Sequence, residues 1–303
     1  MPRSIFRLSI RGQVALLIAA VLVPMAAMFA WFRLDDAQRA REDARKEVTI
    51  LSGNAAANLV KFLSATETTL ARLAARPQVR ALDPKICDPI VAEFVKLNPE
   101  FTTLGIRDLD GNSVCSYLPN PIPRLNATDF PWFGEGLNAG KFSAGNAFRG
   151  RQVGRWVSVL TYPIRSPSGQ VTGLLALPVD LLKLNALLLR AVPANAVVGA
   201  TDRTGTFVLR SVEPERFIGT AIPARIEERL GAQREGFGSL VGVDGINRFA
   251  AFTTLPGLDW RVFAGVPEDD VLAAYHARLK RNLAIGLGCW HWPCSSAGAS
   301  RGR

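Results

Sequence analysis

The side chains that usually carry catalysis are scarce in this chain or badly spaced. Histidine occurs only at positions 276 and 291, too few for a metal cluster or for a Ser-His-Asp arrangement. His276 falls on a basic helix and reads as a solvated side chain. Gly134-Glu135-Gly136 and Gly140-Lys141 have the composition of a phosphate loop. Their spacing fails, however, and Phe142 stands where a hydroxyl should follow the lysine. Acidic residues are plentiful, but no pair is set apart for general acid–base work. No kinase core, nucleotide-cyclase signature or coiled signalling helix follows residue 281. The sequence therefore predicts no catalytic residue, no metal and no cofactor, and no enzyme in the chain as it stands. Thiol chemistry is what remains. Cys87 and Cys115 lie 28 residues apart, and a bridge between them would contribute about 3–4 kcal/mol by loop closure in an oxidising compartment. Two unrelated small core residues are the other reading.

The elements that would position such residues begin with an apolar run. Val14 to Phe32 is nineteen residues without a charge, close to the roughly 20 a membrane-spanning helix needs. A cleaved signal peptide competes with this reading. Its apolar region would be about 7–15 residues ahead of a small-x-small site, and Ala30-Trp31-Phe32 makes a poor one. An uncleaved anchor follows, and Arg3, Arg7 and Arg11 before it place the N-terminus in the cytoplasm. The net charge of +10 would suit an anionic partner. Basic residues mostly alternate with acids, though, as from Arg39 to Glu47, and no basic run is interleaved with stacking aromatics. That excludes nucleic acid as the expected partner.

Beyond the anchor, Val48, Leu51, Ala55, Leu59, Phe62, Thr66, Leu70 and Leu73 recur at spacings of three and four, and no proline interrupts Met25 to Arg76. This predicts a stalk helix ending near Pro77, whose apolar stripe a domain or partner helix must cover. After Pro84 the pattern turns to strands. Leu104-Gly105-Ile106-Arg107-Asp108-Leu109-Asp110-Gly111 is echoed by Val198-Gly199-Ala200-Thr201-Asp202-Arg203-Thr204-Gly205. The stretch from Ala176 to Leu182 is echoed by that from Gly265 to Leu272. Leu104 to Val198 is 94 residues and Pro178 to Pro267 is 89, so two modules of about ninety residues stand in tandem. Strands are expected at 101–107, 113–118, 142–147, 154–163 and 171–178, then at 196–201, 206–211, 237–243, 246–254 and 259–266. Helices are expected at 87–97, 180–191, 223–231 and 268–281. The fold class is α+β, a long N-terminal membrane and stalk helix followed by two tandem antiparallel-sheet modules.

An anchor, a stalk, two such modules and a return to the membrane resemble the double Cache sensors of bacterial transmembrane receptors, which implies that the two antiparallel-sheet modules are PAS-like. Asp129-Phe130-Pro131-Trp132-Phe133 is similar to the family's Asp-Arg-Pro-Trp-Phe run. Gly145, Gly150-Arg151-Gln152-Val153-Gly154, Tyr162-Pro163 and the stretch from Gly173 to Asp180 follow in order. Asp244-Gly245 and Arg248 to Phe252 resemble the second module's turn and strand. The resemblance implies a pocket for a small polar molecule, with Trp132 and Phe133 as walls, Tyr162 offering a hydroxyl, and Asp180 pairing an amine. Core packing, a half-buried strand position and a helix N-cap are the respective alternatives. In amino-acid-binding relatives an arginine two residues before the tryptophan holds the carboxylate. Here that position is Phe130, with Arg149, Arg151 or Arg155 as replacements.

The expected layout is a cytoplasmic N-terminus at 1–13, a transmembrane helix at 14–32 and a stalk at 34–76. A membrane-distal module follows at 77–192, a membrane-proximal one at 193–281, and the start of a second span in a truncated or frame-shifted tail at 282–303. The resemblance implies the periplasmic sensor part of an inner-membrane receptor, of a histidine kinase first, without its output domain. A diguanylate cyclase, a chemotaxis receptor or a free-standing anchored binding protein are the alternatives. Expected partners are a small-molecule ligand, the membrane and a second copy through the stalk.

Overall fold

The computed structural model describes residues 10–118 and 126–273. Two compact units divide the chain, Met1–Ala44 with Glu268–Arg303, and Arg45–Pro267. One helix, α1, runs Ile10–Ala74, so the expected membrane and stalk helices are a single element. Pro24 sits within it. Among the described residues no helix is long and apolar enough to cross a membrane. The side chains of 12–15, 26 and 29–37, within and beside the expected span, lie outside that description. Of the expected helix at 268–281, residues 268–273 are helical. Its remainder, the second span and the tail lie outside the described residues.

Within Arg45–Pro267, the predicted stripe does turn inward. Val48, Leu59, Thr66, Leu70 and Leu73 are buried, and Leu51, Ala55 and Phe62 half-buried. The helix ends at Ala74, before the proline that opens α2, Pro77–Ala81. Helix α3, Ile90–Leu97, follows. Next come β1, Gly105–Asp108, and β2, Ser113–Ser116. Beyond a 3-10 turn at Ala127–Asp129 lies α4, Pro131–Ala139. Strands β3, Ser143–Ala144, β4, Phe148–Arg149, β5, Trp156–Arg165, and β6, Val171–Asp180, complete the first sheet in the order β2-β1-β6-β5-β3, with β4 also on β5.

Helix α5, Leu181–Leu188, leads to β7, Val197–Thr201, and β8, Phe207–Arg210. Helices α6, Pro214–Phe217, and α7, Ala224–Leu230, precede β9, Glu235–Val241, β10, Asn247–Thr254, and β11, Arg261–Pro267. The second sheet reads β8-β7-β11-β10-β9. Both sheets are antiparallel, and each opens with an edge hairpin whose first strand pairs with the module's last strand. The fold is the expected α+β arrangement of two antiparallel modules behind a long helix.

The repeated turn has a repeated cause. Asp108 accepts from the Asn112 amide and Asp202 from the Thr204 and Thr206 amides, with Gly111 at φ 78° and Gly205 at φ 77°. Such angles favour glycine. Three short helices, α2, α4 and α6, are absent from the sequence reading. Each carries proline in its first turn, where proline starts a helix as readily as it marks a loop. The expected strand 142–147 is shortened to Ser143–Ala144, and a separate strand, Phe148–Arg149, follows it; between them Gly145 lies close against α4. A Cβ there would meet the Trp132 Cβ at 2.8 Å.

A continuous core joins the modules to α1 and includes Leu59, Leu70, Ile106, Leu160, Leu177, Val208 and Trp260. Polar contacts also cross between modules: the Ala147 amide donates to Asp202 at 2.8 Å and the Arg203 guanidinium to the Ala144 carbonyl at 2.7 Å. Cys87 and Cys115 are joined as a disulfide with Cα atoms 5.7 Å apart, tying the approach to α3 to β2.

Candidate ligand-binding site

Strand alternation divides the first sheet into two faces. Ile106, Leu160, Ile164, Leu175 and Leu177 turn to the core shared with α1. Gly105, Arg107, Val157, Val159, Ala176 and Pro178 turn the other way and floor a cavity of about 80 Å³. The registers Gly105↔Ala176 and Val159↔Pro178 set them side by side. Helix α4 and the loop after β4 roof this face. The close approach of α4 needs Gly136, where a Cβ would stand 2.6 Å from the Thr161 hydroxyl.

The roof is aromatic and cationic. Phe130 stacks on Trp132 with centroids 6.4 Å apart and tilts against Phe148 at 5.7 Å. The Arg151 guanidinium lies 5.1 Å from the Phe130 centroid, within cation–π range. Arg107 reaches in from β1 beside Gly105, and its Nε and Nη1 are shut off from solvent without a hydrogen-bond partner. Burial lowers the Arg107 guanidinium from its usual range, with Asp108 acting in the opposite direction. It stays protonated all the same, since arginine keeps its proton in proteins. A desolvated, charged donor without an acceptor is among the costliest groups to bury.

The expected site residues separate. Trp132 and Arg151 line the cavity. Phe133, on the same helix, is 2% exposed and packs with Ala127 and Leu174, edge-on to Trp132. Tyr162 has the parity of Leu160 and Ile164, so it packs against the shared core on the opposite face. Asp180 caps α5, accepting from the Leu182 and Lys183 amides at 3.1 and 3.3 Å, and pairs with Arg155 at 3.0 Å. Neither Tyr162 nor Asp180 reaches the cavity lining. Arg107, Phe130 and Phe148 do; sequence reasoning missed Arg107 and Phe148, and had Phe130 only as the residue in place of a carboxylate-holding arginine. The available signal was an arginine at an interior position of β1, two residues from a glycine on the same face.

The second module has a larger cavity, about 170 Å³, walled by Phe207, Phe237, Phe252 and Phe263. Its buried cation is already satisfied, because Arg210 donates to Asp244 and to the Val212 carbonyl, each at 3.0 Å. Arg261 at the same cavity is held by Glu227 and the Gly231 carbonyl. Arg229 lines this cavity from an exposed position, and Arg248, whose Nε lacks a partner, is paired with Asp244 and stands outside the lining. A buried guanidinium with unsatisfied nitrogens that lines the cavity itself thus distinguishes the first site. No group of metal-ligating side chains occurs among the described residues.

No curated protein matches the chain. Solved structures do match in fold. The extracellular domain described as that of histidine kinase rpHK1S-Z16 has a TM-score of 0.60 at 16% identity, covering 76% of this chain and 97% of that one. The ligand-binding domain of the Pseudomonas aeruginosa amino-acid chemoreceptor PctB, solved with L-Gln, has a TM-score of 0.58 at 16% identity and covers 81% and 98%. That of the Campylobacter jejuni chemoreceptor Tlp3, solved with L-valine, has a TM-score of 0.58 at 14% identity and covers 78% and 97%. The family model dCache_1, described as Cache domain, matches residues 35–275. With the tandem sheets, the long helix and the roofed face in place across that same stretch, the chain belongs to the Cache domain family.

Proposed function

We propose that this chain is the periplasmic sensor part of an inner-membrane receptor, of histidine-kinase type, and that it binds a small molecule in the cavity of its first module. In this reading residues 14–32 anchor the chain, 34–76 form the stalk, 77–192 the membrane-distal module and 193–281 the membrane-proximal one. The apolar exposed side chains of α1 from Leu16 to Met28 support lipid contact, and exposed Ile50 and Val60 support pairing of stalks between two copies. Two of these neighbours, both chemoreceptor domains, were solved with amino acids, L-Gln and L-valine, which supports a small-molecule partner. The observation that carries the reading is the cavity itself, an aromatic wall around Trp132 facing an unsatisfied Arg107 guanidinium.

The test is a thermal-shift screen of the purified chain against carboxylates, amines and purines. A ligand of the first cavity raises the melting temperature, and Trp132→Ala removes that rise while the ligand-free melting temperature moves little. A ligand whose effect survives Trp132→Ala is bound elsewhere and refutes the assignment.

A further inference from the structure

The charge balance of the first cavity is more informative than its shape. Two guanidinium groups, Arg107 and Arg151, are among its lining residues, and no Asp or Glu is. Asp180, the carboxylate nearest in sequence pattern to an amine-binding role, is committed to the α5 N-terminus and to Arg155. Asn126, at the cavity edge, has its side-chain oxygen and nitrogen engaged with Thr128 and the Asp110 carbonyl. A ligand ammonium would therefore enter a cationic pocket with no carboxylate to meet it, and like charges in a desolvated site repel strongly. An anion meets the opposite situation, an inward-facing cation whose Nε and Nη1 have no acceptor.

Size narrows the class. The cavity of about 80 Å³ is roughly half the ~150 Å³ of an engineered cavity that accepts benzene. Its floor of Val157, Val159, Ala176 and Pro178 is apolar. Resting on the reading that this cavity is the ligand site, we infer that it takes a short aliphatic carboxylate of two to four carbons without an ammonium group, held by Arg107. Arg151 over Phe130 closes the outer side.

Isothermal titration of the purified full chain tests this with propionate, lactate and succinate, each against an amino counterpart, alanine or aspartate, with inorganic phosphate as a further probe. At least one carboxylate is expected to bind about tenfold or more tighter than its amino counterpart. Arg107→Gln should weaken it by about tenfold or more, the scale of a hydrogen bond to a charged group. Arg107→Gln should not lower the ligand-free melting temperature, since it removes a buried charge without a partner. If that variant does not fold, Arg107→Met, which also lacks the charge and the donors, provides the same comparison. Alanine or aspartate binding as tightly as its acid overturns the ligand class and leaves the sensor reading intact. Phosphate preferred over every carboxylate overturns it too, as does carboxylate binding that ignores Arg107→Gln. Silence from all of these probes also overturns it, and the sensor reading then rests on its own Trp132-dependent screen.

Discussion

Asp244 holds the second module together electrostatically, and replacing it with asparagine isolates that effect from shape. Its carboxylate accepts from Arg248 at 2.6 and 2.9 Å and from Arg210 at 3.0 Å. The side chains are 12% exposed for Asp244, 9% for Arg248 and 4% for Arg210. Arg210 is further enclosed by the rings of Phe217 and Phe207, 4.3 and 5.5 Å from its guanidinium. Asp244→Asn therefore leaves two buried guanidinium groups facing a neutral amide, and removing one partner of a buried ion pair costs about 3–5 kcal/mol. The compact unit Arg45–Pro267 has roughly 220 residues, so at about 2.1 cal/mol/K per residue its melting temperature should fall by about 6–11 °C at pH 7.

The pH dependence is a second check on the same carboxylate. Desolvation raises the Asp244 pKa, but the Arg248 hydrogen bond and charge and the Arg210 charge outweigh it, leaving the carboxyl below its usual value. A depressed carboxylate stabilises fully above the unfolded value near 4 and loses that contribution as pH falls through the folded value. Differential scanning calorimetry between pH 7 and pH 3 should thus show the wild-type and Asp244→Asn curves converging in acid. A shift under 2 °C at pH 7, or a gap that stays constant into acid, would refute the reasoning.

Two further predictions concern the first module. Cys87→Ser or Cys115→Ser opens a 28-residue loop and should remove about 3–4 kcal/mol of stability by loop closure; both thiols found blocked to alkylation in the native wild type, and an unfolding transition lowered only in the variants, would agree. Gly136→Ala forces a Cβ to within 2.6 Å of the Thr161 hydroxyl, and the clash, about 1–3 kcal/mol, should outweigh the roughly 1 kcal/mol gained in helix propensity. Chemical denaturation that finds Gly136→Ala more stable than wild type would show that α4 does not seat where its glycine places it.

Local physics was legible in the residues alone. A stripe at spacings of three and four over Val48 to Leu73 makes an amphipathic helix in almost any context, and that face is buried. An Asp-x-x-Gly turn between apolar alternations makes a hairpin twice, because an aspartate side chain and a left-handed glycine close such turns without outside help. The tandem of two modules followed from the echo, since repeated patterns fold to repeated modules, whereas the order of strands within each sheet came only from the structure. What the residues could not reveal was which face of each strand met the stalk helix. That parity sent Tyr162 to the core and Arg107 to the cavity, one residue of register being a change of face. The two neighbours Trp132 and Phe133 separated for a similar reason, about 100° apart around α4, a helix itself hidden behind its opening proline. Asp180 meets the first free amides of α5, the N-cap alternative that its place at the strand–helix junction also offered. The cavity exists because distant segments, β1, α4 and the loop after β4, converge on one sheet face. That convergence is a property of packing, decided only when the helix covers one side and leaves the other to be roofed.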